Sequence, residues 1–160
     1  MTNTTHTLRR TDRAVSLEEA RRFADLSPYA TLVTATPDGL PYGVPVSPVI
    51  EGDVVWFHAA RGVGRKHENL TRNPRAALVF VAEAVPDEPA FSMNYKSAIL
   101  EGVVTRVEDE TERLHALWLI SERWAGNAPL DARRRMLAGS DAVDVWRLDV
   151  ESFSGKSRDL

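Results

Sequence analysis

Cysteine is absent from this 160-residue chain, and so is any long apolar run. Without cysteine the protein forms no disulfide, performs no thiol catalysis and holds no metal through thiolates, which is compatible with a reducing compartment. The polar first stretch, MTNTTHTLRRTDR, lacks the apolar segment of a secretory signal. No run approaches the ~18 apolar residues of a membrane helix. We therefore expect a cytoplasmic protein with no membrane association.

The chain also has little excess of charge of either sign, because its net charge is only −3. A balance this small gives no whole-chain reason to expect nucleic acid as a partner. No metal site is predicted, because metal-ligand spacing is absent among the four histidines, His6, His58, His67 and His115. The Gly-x-Ser-x-Gly pattern of many serine hydrolases does not occur either.

The chain length fits one domain. We predict a polar arm over residues 1–15 and a single domain over residues 16–160. The domain begins with a helix, because Ser16 and Glu19 form the serine-to-glutamate pattern of a capping box. Beyond this helix, turn signals recur about every ten residues and separate stretches rich in β-forming residues.

The order of these stretches predicts the fold class. The predicted strands cover residues 30–36, 42–50, 54–58, 75–82, 97–107 and 144–150, and the predicted later helices cover residues 109–125 and 131–138. Residues 151–160 are predicted to form a polar, basic tail. This order predicts a mainly β protein of the α+β kind, an antiparallel barrel or sandwich with flanking helices.

The most informative stretch is a basic, glycine-containing loop that follows a predicted strand. Gly64, Arg65 and Lys66 stand where a short helix is predicted to begin. A helix N-terminus offers unpaired N–H groups and a partial positive charge, arginine adds a two-pronged donor, and glycine allows close backbone approach. The pattern is typical of a phosphate site, although a solvated basic turn has the same composition. The P-loop and dinucleotide fingerprints do not match.

Two neighbouring features add to this loop. Pro45 and Pro48 interrupt the predicted strand over residues 42–50. Because proline cannot donate to a strand ladder, backbone groups there are free for a flat ligand, or the strand is an edge protected from aggregation. His58 ends the next predicted strand beside the basic loop. A neutral imidazole can exchange protons near pH 7, but a hydrogen-bonded structural histidine is equally compatible with this position.

The motifs, in their order, resemble the FMN-binding split-barrel proteins related to pyridoxamine 5′-phosphate oxidase. Within them the chain is most similar to the nitroimidazole-resistance (Nim-type) group. The matching segments are residues 9–13, 30–39, 41–47, 56–60, 64–70, 72–75, 95–97 with Gly102, and 153–156. The set in this order is specific for the fold and for a flavin-type pocket, and it is not specific for a reaction.

The resemblance implies an antiparallel split barrel that forms a homodimer with two FMN sites at the interface. By position, the phosphate would be held by Gly64, Arg65 and Lys66. The flavin ring would be lined by Val44, Pro45, Val46, Ser47, Phe57, His58 and Ala59. Tyr95 and Ser97 would reach the ring or the ribityl chain, and residues near Phe153 would come from the partner. The Nim-type group places the equivalent of His58 at the substrate side, which makes His58 the candidate catalytic residue.

Departures from the family narrow the expected function. The C-terminal SGKSRDL lacks the arginine-rich segment with which pyridoxamine phosphate oxidases grip substrate phosphate, so vitamin B6 oxidation is not expected. Ala59 and Ala60 replace hydroxyl residues of relatives, which would weaken FMN binding or favour another flavin. We expect an FMN-dependent oxidoreductase that reduces a small electron-poor acceptor, such as a nitro compound. The alternatives are a non-catalytic protein that binds or stores flavin, deazaflavin F420 or haem, and a split barrel with an empty or repurposed pocket.

Overall fold

The computed structural model describes residues 9–158, which form one antiparallel sheet with four helices. The helices are α1 (Leu17–Leu26), α2 (Arg65–Arg72), α3 (Glu110–Ala125) and α4 (Leu130–Ala138). The strands are β1 (Ala30–Ala35), β2 (Pro41–Val46), β3 (Val49–Glu51), β4 (Val54–Ala60), β5 (Arg75–Asp87), β6 (Ser92–Arg106) and β7 (Val143–Arg158). Residues 1–8 of the predicted N-terminal arm lie outside this description.

The strand order explains why the sheet curls. The order is β2-β1-β5-β6-β7-β4-β3, with every neighbouring pair antiparallel. The two edge strands, β2 and β3, are separated in the chain by only Ser47 and Pro48. Because this link spans at most about 11 Å, the sheet bends until its edges approach each other. The result is a barrel open along one seam, and the predicted mainly β fold with flanking helices is confirmed.

Several sequence-based boundaries differ from the structure, and two of the differences have a clear physical reason. The predicted strand over residues 42–50 is two strands, because Pro48 cannot donate to a ladder and the chain leaves one sheet edge for the other at Ser47. The predicted tail over residues 151–160 instead pairs with β6 as far as Arg158. Its polar side chains gave no alternating pattern, whereas strand pairing needs only a neighbouring backbone.

The β5–β6 hairpin is also longer than predicted, since it extends to a tip at residues 88–91. An ion pair between Arg158 and the buried Asp87 supports this extension, with an N–O distance of 2.8 Å. The end of β7 and the hairpin therefore stabilise each other.

The predicted capping box of α1 is confirmed. The Glu19 N–H donates to the Ser16 hydroxyl, and the Ser16 N–H donates to the Glu19 carboxylate, each at 3.2 Å. One face of α1 then packs on β7 at Gly155, where an added Cβ would lie 2.6 Å from the Cβ of Ala20. This contact brings α1 against the main core.

Two hydrophobic clusters stabilise the fold. The main core fills the barrel and includes Leu32, Phe57, Leu78, Phe80, Leu100 and Leu148. A second cluster joins α3 to the outer side of β4 and β7 and includes Trp56, Leu117, Ile120 and Val145. Adjacent residues of β4 thus face different clusters, as strand alternation requires. Over residues 9–158, no helix combines the length and apolar character needed to cross a membrane.

Candidate functional site

The basic loop connects β4 to α2 and presents the start of that helix. Gly62 and Gly64 have φ values of 66° and 94°, a region that residues with side chains rarely adopt. The Gly64 carbonyl accepts from the Glu68 N–H at 3.1 Å, so α2 begins at Arg65 as predicted. The N–H groups of the first turn therefore have no partner within the helix and point toward its N-terminal end.

Two hydrogen bonds tie the loop to the start of β7. The Gly62 N–H donates to the carboxylate of Asp144 at 2.9 Å, and the Arg61 N–H donates to the carbonyl of Ala142 at 2.9 Å. The Asp144 residue is only 5% exposed, so the first of these bonds is shielded from competing water. The loop, which connects β4 to α2, is therefore also fixed to the start of β7, which is distant from it in sequence.

The two predicted phosphate-binding cations differ in their surroundings. The Arg65 guanidinium reaches β2, where it donates to the Pro41 carbonyl at 3.3 Å and lies 4.6 Å from the Tyr42 ring centre. Lys66 is half-buried, and this burial lowers the pKa of its ammonium group. Among residues 9–158 no carboxylate forms an ion pair with Lys66. An anion at the helix start would therefore meet a cation that is already partly desolvated.

The helix that carries these cations is anchored to β1. The Asn69 amide donates to the Thr34 hydroxyl at 3.0 Å, and the Asn73 amide donates to the Ala35 carbonyl at 3.1 Å. Both Asn69 and Thr34 are buried. Because Asn69 lies about one turn after Arg65, this anchor sets the direction in which the start of α2 points.

His58 lies on β4 close enough to the basic loop to be affected by it. Its neighbours Phe57 and Ala59 are buried in the core, so His58 faces the outside of the barrel and is accessible. Partial burial, and secondly the charge of Lys66, lower the pKa of His58. The lowered pKa favours the uncharged form of the ring near neutral pH. It has no hydrogen-bond partner in the part of the chain that the structure describes, which argues against the structural alternative.

The other predicted ring-lining residues present different groups to a ligand. Phe57, Ala59 and Val46 are buried in the core and Val44 packs against it, so a ligand outside the barrel can meet only their backbone atoms. Pro45 is exposed on the outer face of β2, and Ser47 is half-buried in the link between the edge strands.

Tyr95 and Ser97 lie apart from the basic loop. They share the outer face of β6 with Ile99, and β7 separates β6 from β4. Within residues 9–158, no hydrogen bond, ion pair or ring contact joins either residue to the loop. Phe153, expected to approach a partner, packs against its own chain, with the Arg21 guanidinium 5.1 Å from its ring centre.

The structure thus brings together the loop, Arg65, Lys66 and His58, and adds residues that sequence reasoning missed. Asp144 was assigned only to the start of a strand, and Thr34 and Asn69 were given no role. Asn69 does stand one helical turn from Arg65, a signal that could have been used. No comparable signal marks Asp144, because its contact depends on the pairing of β4 with β7. In the described range, no cluster of three or more His, Asp or Glu residues could hold a metal ion.

Comparison with known proteins extends these observations. Residues 16–157 match the family model described as pyridoxamine 5′-phosphate oxidase. No curated protein matches the chain. Among solved structures, a candidate 5-nitroimidazole antibiotic resistance protein from Bacteroides thetaiotaomicron is 24% identical, with a TM-score of 0.73 over 89% of this chain and 85% of that chain.

Two further solved structures share the fold. An FAD-binding protein from Mesorhizobium loti is 20% identical, with a TM-score of 0.64 over 92% of this chain and 98% of that chain. The haem storage protein HutZ from Vibrio cholerae is 18% identical, with a TM-score of 0.61 over 84% of this chain and 89% of that chain. At such identities the likeness shows the fold, and the predicted split barrel is confirmed.

Proposed function

The chain belongs to the pyridoxamine 5′-phosphate oxidase family, and from this premise we propose that it binds FMN and reduces a small electron-poor organic acceptor. One observation carries the proposal. The open helix start of α2 follows Gly64 and stands beside the half-buried Lys66, which has no ion-pair partner among residues 9–158. This arrangement suits a phosphate monoester, which FMN carries and riboflavin lacks.

The residues present fit the phosphate. Free N–H groups and the helix dipole attract an anion at the first turn of α2. An added Cβ at Gly64 would meet nothing within 4 Å, so the approach to the backbone there is unobstructed. Arg65 can supply positive charge while its guanidinium lies against the Tyr42 ring of β2. Charge-assisted bonds of this kind contribute about 1.5–3 kcal/mol each.

The ring side of the proposed site lies on the outer surface of the barrel. When bound, FMN supplies the redox chemistry, and the protein supplies orientation and proton control. Backbone groups of residues 44–47 and 57–59 would line the ring edge, since most of those side chains point into the core. His58 is accessible and its lowered pKa favours the uncharged ring, so one of its ring nitrogens would hold or move a proton beside the acceptor.

A homodimer is part of the proposal, because Tyr95 and Ser97 do not reach the basic loop of their own chain. They share their face with apolar side chains that remain uncovered, including Val81 at 42% and Ile99 at 40% exposure. On this face four residues lie side by side, one on each of the neighbouring strands β2, β1, β5 and β6: Pro45, Thr31, Val79 and Ile99. A second copy packed there would cover the apolar surface and bring its own Tyr95 and Ser97 toward the partner's site.

The test compares FMN with riboflavin. Purified protein is examined by visible absorption, the released chromophore is identified by mass, and both affinities are then measured for the R65A/K66A double variant. FMN affinity should fall by about a hundredfold or more, corresponding to ~3 kcal/mol, with riboflavin affinity unchanged. R72A, at the other end of α2, is the matched control. Failure of the natural protein to bind FMN, or full FMN affinity in the double variant, would contradict the assignment.

A second candidate is a protein that stores or shields a cofactor without turnover. It is favoured by the absence, among residues 9–158, of any hydrogen-bond or ion-pair partner that would relay a proton to or from His58. The similar structures described as FAD-binding and haem storage proteins support it too. Steady-state reduction of a nitroaromatic acceptor by the flavin-loaded protein would exclude it, whereas a haem absorption band in the purified protein would support it.

A further inference from the structure

A buried carboxylate lies directly beneath the basic loop. Asp144 accepts a hydrogen bond from the Gly62 N–H at 2.9 Å, the one hydrogen bond to its side chain among residues 9–158. Three basic side chains surround it at longer range. They are Arg61 with Nε 3.4 Å from Oδ1, His67 with Nδ1 3.7 Å from Oδ2, and Arg106 with Nη1 3.9 Å from Oδ1.

The basic side chains offset part of the cost of burying this carboxylate, but among residues 9–158 only the Gly62 N–H donates a hydrogen bond to it. Burying a carboxylate is costly when few hydrogen bonds replace its water. A negative charge beside a proposed phosphate site also opposes anion binding. What the carboxylate does provide is an acceptor for the N–H of Gly62, and this bond restricts a residue that, as a glycine with a φ of 66°, has wide conformational freedom.

The loop conformation decides where the anion would bind. Gly62 stands two residues before Gly64, and Gly64 sets the first turn of α2. The Arg61 N–H bond to Ala142 ties the preceding peptide to the same end of β7. With both ties in place, the free N–H groups of α2 and the Lys66 ammonium can converge on one point without reorganising when the anion arrives.

We propose that Asp144 is a positioning residue for the phosphate site, acting through the Gly62 N–H. This inference rests on the proposed function and deepens it. If Asp144 acts in this way, phosphate binding depends on where the acceptor oxygen of residue 144 lies and does not depend on its negative charge. Asp144→Asn keeps an acceptor oxygen at the same reach and removes the charge, whereas Asp144→Glu keeps the charge and moves the acceptor by one methylene.

The readout is the ratio of FMN affinity to riboflavin affinity, which a general loss of stability would not change. D144N should retain the natural ratio or exceed it, while D144E should lower it by about tenfold or more. The protection of the Gly62 amide from hydrogen exchange should likewise be retained in D144N and reduced in D144E. D141E, a lengthened acid in the exposed turn before β7, is the matched control and should leave the ratio unchanged.

The outcomes separate this inference from the function on which it rests. Natural protein with no preference for FMN over riboflavin overturns the proposed function and this inference together. A preference for FMN that D144E retains in full overturns the inference alone. A loss in D144N as large as that in D144E also overturns it, since charge rather than position would then be decisive.

Discussion

The side-chain amide of Asn69 donates a hydrogen bond to the hydroxyl of Thr34 across 3.0 Å, and both residues are buried. Thr34 belongs to β1, and its hydroxyl can in turn donate to the carbonyl of Tyr42 in β2 at 3.4 Å. One polar chain thus connects α2 with two strands of the barrel. It links the helix that carries Arg65 to the strand whose Tyr42 ring supports the Arg65 guanidinium.

Removing one partner of this buried pair should destabilise the protein. Thr34→Val leaves the Asn69 amide without its acceptor, and an unsatisfied buried polar group costs about 1–3 kcal/mol. The free energy of unfolding, measured by urea denaturation, should fall accordingly. The T34V/N69L double variant should lose less than the sum of the single losses, because no orphaned group remains. Strict additivity would show that the pair does not interact, and T71V on the exposed face of α2 is the control.

Gly155→Ala should loosen the contact between α1 and β7. Its Cβ would lie 2.6 Å from the Cβ of Ala20 and 2.7 Å from Cγ2 of Val15, so the helix must shift. Overpacking of this kind costs about 1–3 kcal/mol. Gly43→Ala is the matched strand control, because its Cβ would meet Thr31 at an ordinary 3.5 Å. Hydrogen exchange of α1 should accelerate in G155A and not in G43A, and equal behaviour of the two would refute the close packing.

The pKa of His58 should respond to Lys66. Burial is the larger cause of the lowered pKa and the Lys66 charge the second, so Lys66→Met should raise the pKa only part of the way toward its usual value of about 6.5. Lys66→Arg retains the charge and should leave the pKa lowered. Proton NMR titration of the His58 ring gives the values. An unchanged pKa in K66M would show that the two groups do not interact.

The same shift predicts how His58 affects stability. Because the folded state has the lower pKa, the unfolded chain binds more protons between that pKa and about 6.5, so stability rises with pH across this window. The contribution of the uncharged His58 ring to stability is present above about pH 6.5 and is lost as the pH falls through the folded-state pKa. His58→Gln should flatten the dependence of unfolding free energy on pH there. A profile as steep as that of the natural protein would assign the dependence to other groups.

The proposed dimer predicts that one charge on the outer sheet face separates the copies. Ile99→Glu places a carboxylate in the apolar row of β6, where a second copy would bury it, so sedimentation equilibrium should show monomers. Leu130→Glu is the control, since Leu130 on α4 is 43% exposed against 40% for Ile99 and lies outside that face. FMN affinity should fall in I99E alone, because the partner's Tyr95 and Ser97 would be lost. A monomeric natural protein would disprove the dimer.

Several features of this protein follow from residues that are close in sequence. The capping box of Ser16 and Glu19 and the helix start after Gly64 were both predicted correctly. Each depends on backbone groups within four residues, so composition and spacing carry the information. The strand order was inferred only as far as an antiparallel class, because turn signals mark where strands end without saying which strands pair.

The tertiary structure decided the rest. Pro45 and Pro48 marked a broken strand, but only the pairing of β2 with β1 and of β3 with β4 shows that the chain changes sheet edges there. The polar end of β7 became a strand because β6 offered it a backbone partner. Asp144 reaches Gly62 across 82 residues of sequence. The sequence by itself determined the local turns and helix starts, and only the folded sheet determined which distant side chains meet, because such contacts depend on strand order rather than on neighbouring residues.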